Sequence, residues 1–221
     1  MDMDRLIKLL VEDLQPARPL RSPWTRVILW MAIGLPYVAA VVWGKLMMIE
    51  TWNIASDIRF LIEQAATLAT ALIAAVAAFA SVIPGFDRRL MLLPLAPLGL
   101  WLATVGHGCV QDWLRLGGDG LTIRPDWDCL PSATIIGIVP AIVLVIMLRR
   151  GAPLHPRWTL ALAALAVASL ANFGLQFAHA RDTSIMVLTW HLGAAAVLSA
   201  LGGCLGTRLL GWRHVASLPK R

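Results

Sequence analysis

The chain has 221 residues, of which 58% are hydrophobic and only 14% charged, and its mean hydropathy is +0.72. This composition excludes a water-soluble globular domain, because such a domain needs far fewer apolar residues to form its single core. The formal charge of +6 does not indicate a nucleic-acid-binding protein, because the basic residues form short clusters between apolar runs. The sequence therefore predicts an all-α, polytopic membrane protein.

The first predicted element is a short amphipathic helix over residues 3–14, which Pro16 should end. Because so short a helix is marginal in water, its apolar stripe must lie on the bilayer surface, on the rest of the protein or on another protein. A helix on a membrane surface normally has a polar face rich in lysine and arginine. Here acidic residues match or exceed the basic ones, which favours a protein partner with an apolar groove. The residues assigned to this contact are Asp4, Leu6, Ile7, Leu10 and Leu14.

Six apolar stretches follow, each close to the roughly 20 helical residues that a hydrocarbon core requires. They are residues 26–47, 59–83, 90–111, 131–149, 158–178 and 185–211. The short connections make neighbouring spans antiparallel, so we expect one bundle. The chain then divides into a head (1–25), a transmembrane domain (26–213) and a tail (214–221). Small residues, including Gly202 and Gly206 in span six, predict close helix packing.

The distribution of lysine and arginine predicts the orientation of these spans. With the N-terminus inside, fourteen of the nineteen basic residues fall in cytoplasmic segments and four in outer ones, while Lys45 lies within the outer end of span one. This bias follows the positive-inside rule and puts both termini in the cytoplasm. Glu63 in span two is an intramembrane carboxylate. We expect it to pair with Arg59, which lies one helical turn away.

Cysteine and histidine residues gather near the predicted outer face. Cys109 ends span three, and Cys129 begins span four directly after Asp128. In span five Asn172, Gln176 and His179 follow i, i+4, i+7 spacing and share one helix face. His107 and His191 lie at similar depth. A convergent cluster would include Cys109, Cys129, His107, His179 and His191.

Two functional interpretations of this cluster stay open. One is a disulfide between Cys109 and Cys129, and the other is a soft-metal site with thiolate and imidazole ligands. The alternative to both is that the histidines bond between helices and the cysteines fill space. Cys204, near the inner leaflet, is predicted to be a buried small hydrophobic residue.

Several short motifs in the chain resemble the NrsF family of multi-spanning membrane anti-sigma factors (negative regulators of sigma F), and the resemblance extends over essentially the whole sequence. The motifs are Asp4-x-Leu6-Ile7-x-x-Leu10 with Pro16 beyond, Leu93-Pro94-Leu95-Ala96-Pro97-Leu98, Gly108-Cys109 with Asp112-Trp113, Trp127-Asp128-Cys129-Leu130, Arg149-Arg150-Gly151-Ala152-Pro153-Leu154 and Trp190-His191.

The resemblance implies a protein that holds an extracytoplasmic-function sigma factor at the bacterial inner membrane until a heavy-metal or oxidative stress is sensed. By this resemblance Cys129 is the sensing cysteine. The family has a second cysteine between spans five and six, where this chain has His179. Either Cys109 replaces that partner, or Cys129 and His179 together bind a metal ion.

The sequence thus predicts a non-enzymatic anti-sigma factor whose partners are a sigma factor and the lipid bilayer, without direct binding of nucleic acid. It predicts no cofactor, and a heavy-metal ion would bind only transiently, as the signal. One alternative is a membrane redox protein, which would use thiol or quinone chemistry or a haem between His107 and His191. Another is a small-solute transporter with Glu63 and the Asn172–Gln176 line as its pathway.

Overall fold

The computed structural model describes residues 3, 7, 11, 20–46, 58–83, 85, 87–123, 129–151, 155–178 and 183–209, some at the helix ends by their backbone alone. This part of the chain is helical and contains no strand. Its long helices are α1 (Pro23–Leu46), α2 (Ile58–Ala80), α3 (Leu95–Leu116), α4 (Cys129–Leu148), α5 (Pro156–Ala178) and α6, which begins at Ser184 and ends at Leu209. All six are long and apolar enough to cross a membrane, which confirms the predicted number of spans.

Helix α6 is not uniform along its length. It starts with an α-helical turn, Ser184–Met186, continues as a π-helical segment, Val187–Leu192, and then becomes regular α-helix, Gly193–Leu209. Segments of π-helix are rare and often lie at functional sites, because they re-aim side chains relative to the flanking turns. Here the segment contains the buried His191.

The third span begins and ends later than its apolar run predicted. Arg88–Met91 forms a separate 3-10 turn, and α3 begins only at Leu95, after Pro94. A residue that precedes proline disfavours helical geometry, which explains the break. Beyond residue 111 the helix continues through polar Asp112 until Gly117, whose φ of 63° ends it.

Helix α5 is the centre of the bundle and packs against α1, α2, α4 and α6. Alanine accounts for most of the α2 face in this core, with Ala71, Ala74 and Ala78 fully buried. Gly202 of α6 lies so close to α5 that a methyl group there would be 3.0 Å from the Leu160 carbonyl oxygen. The expected packing through small residues is therefore confirmed for α2 and for Gly202.

Two ends of the bundle can be distinguished. At the proximal end α1 begins, and α2 and α4 end; at the distal end α1 ends, and α2 and α4 begin. Cys129 starts α4, so it lies at the opposite end from the start of α1. The 20 residues of α4 correspond to a separation of about 30 Å.

The outside of the bundle carries many exposed apolar side chains, such as Ile28, Ile142 and Leu201. A surface this apolar requires a nonpolar solvent. Trp24, Trp43 and Trp158, near the helix ends, are also more than half exposed, as membrane-interface anchors are.

Candidate functional site

At the distal end Arg59 connects three helices. Its Nε lies 3.1 Å from Glu63 Oε1 within α2, and this ion pair confirms the pairing predicted for Glu63. Its guanidinium also donates to Ser184 Oγ at 3.0 Å. The backbone N–H of Ser184 donates in turn to Asp112 Oδ2 at 2.8 Å. These contacts hold the start of α6 against α2 and α3, and we call them the Arg59 network.

Gly108 of α3 makes room for this network. A side chain there would collide with the Arg59 guanidinium and with Ser184 Oγ. The next residue, Cys109, is half-buried and has a free thiol within electrostatic range of Arg59, Glu63 and Asp112. The thiol therefore lies beside fixed charges of both signs.

The other predicted sensing residues are only partly described. The side chain of Cys129 and all of Asp128 and His179 lie outside the described residues. Cys129 begins α4, and Cys109 lies about two turns before the end of α3. The two helices share no extended interface in the described part of the chain, since α4 packs mainly on α1 and α5 and α3 mainly on α2 and α6. Among the described side chains no group of three or more metal-ligating residues comes together. The disulfide and the metal site both stay predictions.

The two histidines proposed for a haem lie in different environments. His107 is exposed on α3, whereas His191 is buried in the π-helical segment of α6. A bis-histidine haem needs both rings aimed at one interior position. The observed arrangement does not favour that alternative.

Asn172, Gln176 and His179 form the polar line of span five, and Gln176 is buried inside the bundle. Its side-chain amide bonds to that of Gln64, so that α2 and α5 are joined by buried amides. Asn172, one turn away, lines a cavity that opens at the surface of the bundle. His179, the third member of the line, lies outside the described residues.

The prediction for Cys204 was wrong, because its side chain is exposed on the outer surface of α6.

Helices α1 and α4 are joined by side chains that donate to backbone carbonyls. Trp30 Nε1 donates to the Pro140 oxygen at 2.9 Å, and the Tyr37 hydroxyl donates to the Ile135 oxygen at 2.7 Å. Trp30 is fully buried. Because hydrogen bonds strengthen where water is absent, these contacts fix α1 in register against α4.

Arg26, in the first turn of α1, adds a third such contact at the proximal end. Its guanidinium donates to the Met147 carbonyl oxygen and, at 3.5 Å, to the Phe79 carbonyl oxygen. It also lies over the Phe79 ring, 4.4 Å from the centroid. The side chain is 5% exposed.

The carbonyl groups that Arg26 contacts are those that a helix end leaves without partners. In the last turn of α2, the Ala77 and Ala78 oxygens bond to Ser81, and the Ala80 oxygen bonds to the backbone of Ile83. The Phe79 oxygen accepts a hydrogen bond from Arg26. A cation at this point also interacts favourably with the dipoles of α2 and α4, whose carboxyl ends meet there.

The N-terminal head is described at three positions only. Met3, Ile7 and Val11 are helical, and Ile7 and Val11 are 51% and 58% exposed. At these positions the bundle does not cover the predicted apolar stripe. The other residues assigned to the contact, Asp4, Leu6, Leu10 and Leu14, lie outside the described residues.

A comparison with protein-family models matches residues 10–212 to the NrsF family, whose description is negative regulator of sigma F. The chain belongs to the NrsF family. Neither the curated proteins nor the solved structures contain a significant match. Membership makes the chain a negative regulator of a sigma factor, and it makes a sigma factor its partner.

For an NrsF-family protein, the contacts between α1 and α4 matter because α1 follows directly after the head. Sequence reasoning missed them. In the sequence Arg26 is one of the fourteen basic residues predicted to be cytoplasmic, at the edge of an apolar run. Trp30 and Trp101 are both buried, although they lie within the first two turns of α1 and α3. Tryptophan this close to a helix end is also typical of a membrane interface, so its position did not identify either residue as a packing residue.

Proposed function

We propose that this protein is an inner-membrane anti-sigma factor whose N-terminal helix binds an extracytoplasmic-function sigma factor in the cytoplasm. The observation that carries the proposal is the exposure of the apolar Ile7 and Val11 on helical backbone, in a chain of a sigma-regulator family. An apolar stripe that the protein's own bundle leaves open suits a helix-in-groove contact. A regulator that sequesters its partner in this way needs no catalytic step.

The proposed signal is a thiophilic metal ion or an oxidant that reacts at Cys129 in the extracytoplasmic space. Cys129 begins α4, and α4 is bonded to α1 through Tyr37, Trp30 and Arg26. A displacement of α4 would therefore act on the helix that carries the sigma-binding head. A coupling free energy of about 1–3 kcal/mol between two such sites is typical and changes affinity by roughly 5–150-fold.

The sensing role of Cys129 is tested with a sigma-dependent transcriptional reporter. In the Cys129→Ser variant we expect repression without stress to be kept and induction by heavy metal or oxidant to be lost, because the reactive thiol is gone. Cys204→Ser is the matched control, since this cysteine is exposed on α6, and it should respond normally. Normal induction of Cys129→Ser would exclude this residue as the sensor.

Sigma-factor binding by the head is tested separately. Replacing both Leu6 and Leu10 with aspartate should abolish capture of the sigma factor by residues 1–25 used as bait and should make the reporter constitutive. Lys8→Gln changes the polar face and is the matched control, which should still bind. If the double variant captured the sigma factor as well as the unchanged segment does, the helix would not be the binding element.

A further inference from the structure

Helix α6 is attached to the bundle at two places that face different neighbours. At its distal start Ser184 belongs to the Arg59 network, in which it bonds to Arg59 of α2 and Asp112 of α3. Towards its proximal end Gly202 lies against α5, where a methyl group would be 3.1 Å from Ala164 Cβ. The start of α6 therefore packs on α3, whereas Gly193–Leu209 packs along α5.

A straight, regular α-helix would aim both attachment points in one direction. Gly202 lies 18 residues after Ser184, which is about five full turns at roughly 3.6 residues per turn. The π-helical segment Val187–Leu192 interrupts this regularity. A π-helical interruption accommodates one extra residue, and so it changes the angle between the two ends by about 100°. The segment thus lets Ser184 face α2 and α3 while Gly202 faces α5.

The packing of the segment agrees with this geometry. Val187 and Leu192 both pack against the small cluster that contains Trp101 and Val105 of α3. Residues five apart in an α-helix are about 140° apart around its axis. In a π-helical turn, which closes between residues i and i+5, they lie almost one above the other. The contact with α3 therefore uses the wider turn.

The segment is kept by its contacts and not by its own backbone geometry, since π-helical turns are rare whereas α-helical turns are common. The contacts at the two ends of α6 are unequal. Gly193–Leu209 packs along α5 over much of its length, whereas the start is attached through one short turn and the Arg59 network. If the network opened, the start would move and the proximal part would stay.

We propose that the π-helical segment is a register switch that the Arg59 network holds in place. When the network opens, the segment becomes regular α-helix, and the start of α6 rotates by about 100° and advances by about 1.5 Å. Because one more residue then fits into the regular spiral, Ile185 takes the place of Ser184 opposite Asp112. This movement does not depend on the proposed sigma-factor regulation.

Disulfide cross-linking in membranes tests the proposal, with the full-length protein in which the native cysteines are replaced by serine. Asp112→Cys opens the network and supplies one thiol, and either Ser184→Cys or Ile185→Cys supplies the other. We expect the pair that contains Ile185→Cys to cross-link several-fold more efficiently. Equal cross-linking of the two pairs, or a preference for the pair with Ser184→Cys, would overturn the proposal.

Deletion of Thr189 is the matched control, because it removes the extra residue and spares the apolar contacts of the segment. With one residue fewer, a regular α6 again places residue 184 opposite residue 112. The preference should therefore reverse in favour of the Ser184→Cys pair. A preference that stayed with Ile185→Cys after the deletion would count against a register switch.

Hydrogen exchange of the backbone amides gives a second measurement, with the native cysteines present. In the Asp112→Ala variant the amides of Val187–Leu192 should exchange more slowly than in the parent protein, because the segment becomes regular α-helix. A start that was merely loosened would exchange faster, and that result would overturn the proposal. Arg115→Ala, at an exposed position of α3 outside the network, is the control and should leave the exchange unchanged.

Discussion

At the level of single residues, several polar side chains in the described part of the bundle bond to the backbone of a neighbouring helix. Arg26, Trp30 and Tyr37 all donate to helix carbonyl oxygens. In an apolar surrounding such bonds satisfy groups that have no water to bond to. Arg26 is the most demanding case, because it places a charge at the junction of two helix ends.

The Arg26→Met variant should lose about 2 kcal/mol of unfolding free energy, since bonds to a charged donor contribute roughly 1.5–3 kcal/mol and the methionine keeps most of the apolar contact. The measurement is unfolding of the purified protein in mixed micelles. Arg21→Met, at an exposed position, should change stability by less than about 0.5 kcal/mol. Equal stability of both variants would show that the Arg26 bonds contribute nothing net.

At the level of elements, the contact between α5 and α6 shows how a glycine sets the distance between two helices. Gly202 is close to the Leu160 carbonyl oxygen, and a methyl group there would also lie 3.1 Å from Ala164 Cβ. Gly193, in the same helix, has open space at the corresponding position. The two glycines differ only in what faces them.

Alanine substitutions at these positions should therefore change stability in opposite directions. Gly202→Ala should destabilise the protein by about 1–3 kcal/mol, because α6 must move away from α5. Gly193→Ala should stabilise it by about 0.5–1 kcal/mol through the greater helix propensity of alanine. Thermal unfolding of the two variants beside the parent protein measures both effects. A stabilising Gly202→Ala would mean that the two helices are not in close contact there.

At the level of the whole molecule, Cys129 and the start of α1 lie at opposite ends of the bundle. The proposed signal at Cys129 would therefore have to reach α1 through helix packing. Gly174 of α5 lies at the meeting point of α1 and α4. A methyl group there would be 2.6 Å from Val38 Cγ1 of α1 and 3.3 Å from Ile136 Cγ2 of α4. A larger residue at this point would push the two helices away from α5.

The Gly174→Val variant should thus raise sigma-dependent transcription without any stress, by roughly fivefold or more if the altered packing represents a coupling of about 1 kcal/mol. The measurement is reporter activity normalised to the amount of membrane-inserted protein. Gly99→Val, which has open space around it, should leave repression intact. Full repression by Gly174→Val at normal protein levels would argue against transmission through α1 and α4.

The sequence by itself determined the six helices, their antiparallel order, the apolar positions Ile7 and Val11 of the head and the Arg59–Glu63 pair. These are local properties, because the length of an apolar run and the spacing of two charges on one helix do not depend on neighbouring helices. The bounds predicted for span three were less accurate, because Pro94 and Gly117, rather than the hydropathy of the run, set the ends of α3.

The tertiary structure alone decided which helix faces meet. A helix such as α4 is apolar all round, so its sequence carries no periodic signal that distinguishes a lipid-facing side from a protein-facing one. For this reason the burial of Arg26 and Trp30, the Gln64–Gln176 bond, the exposure of Cys204 and the cavity beside Trp101 could not be predicted. Each depends on what the neighbouring helix presents at that depth, and only the packed bundle supplies that information.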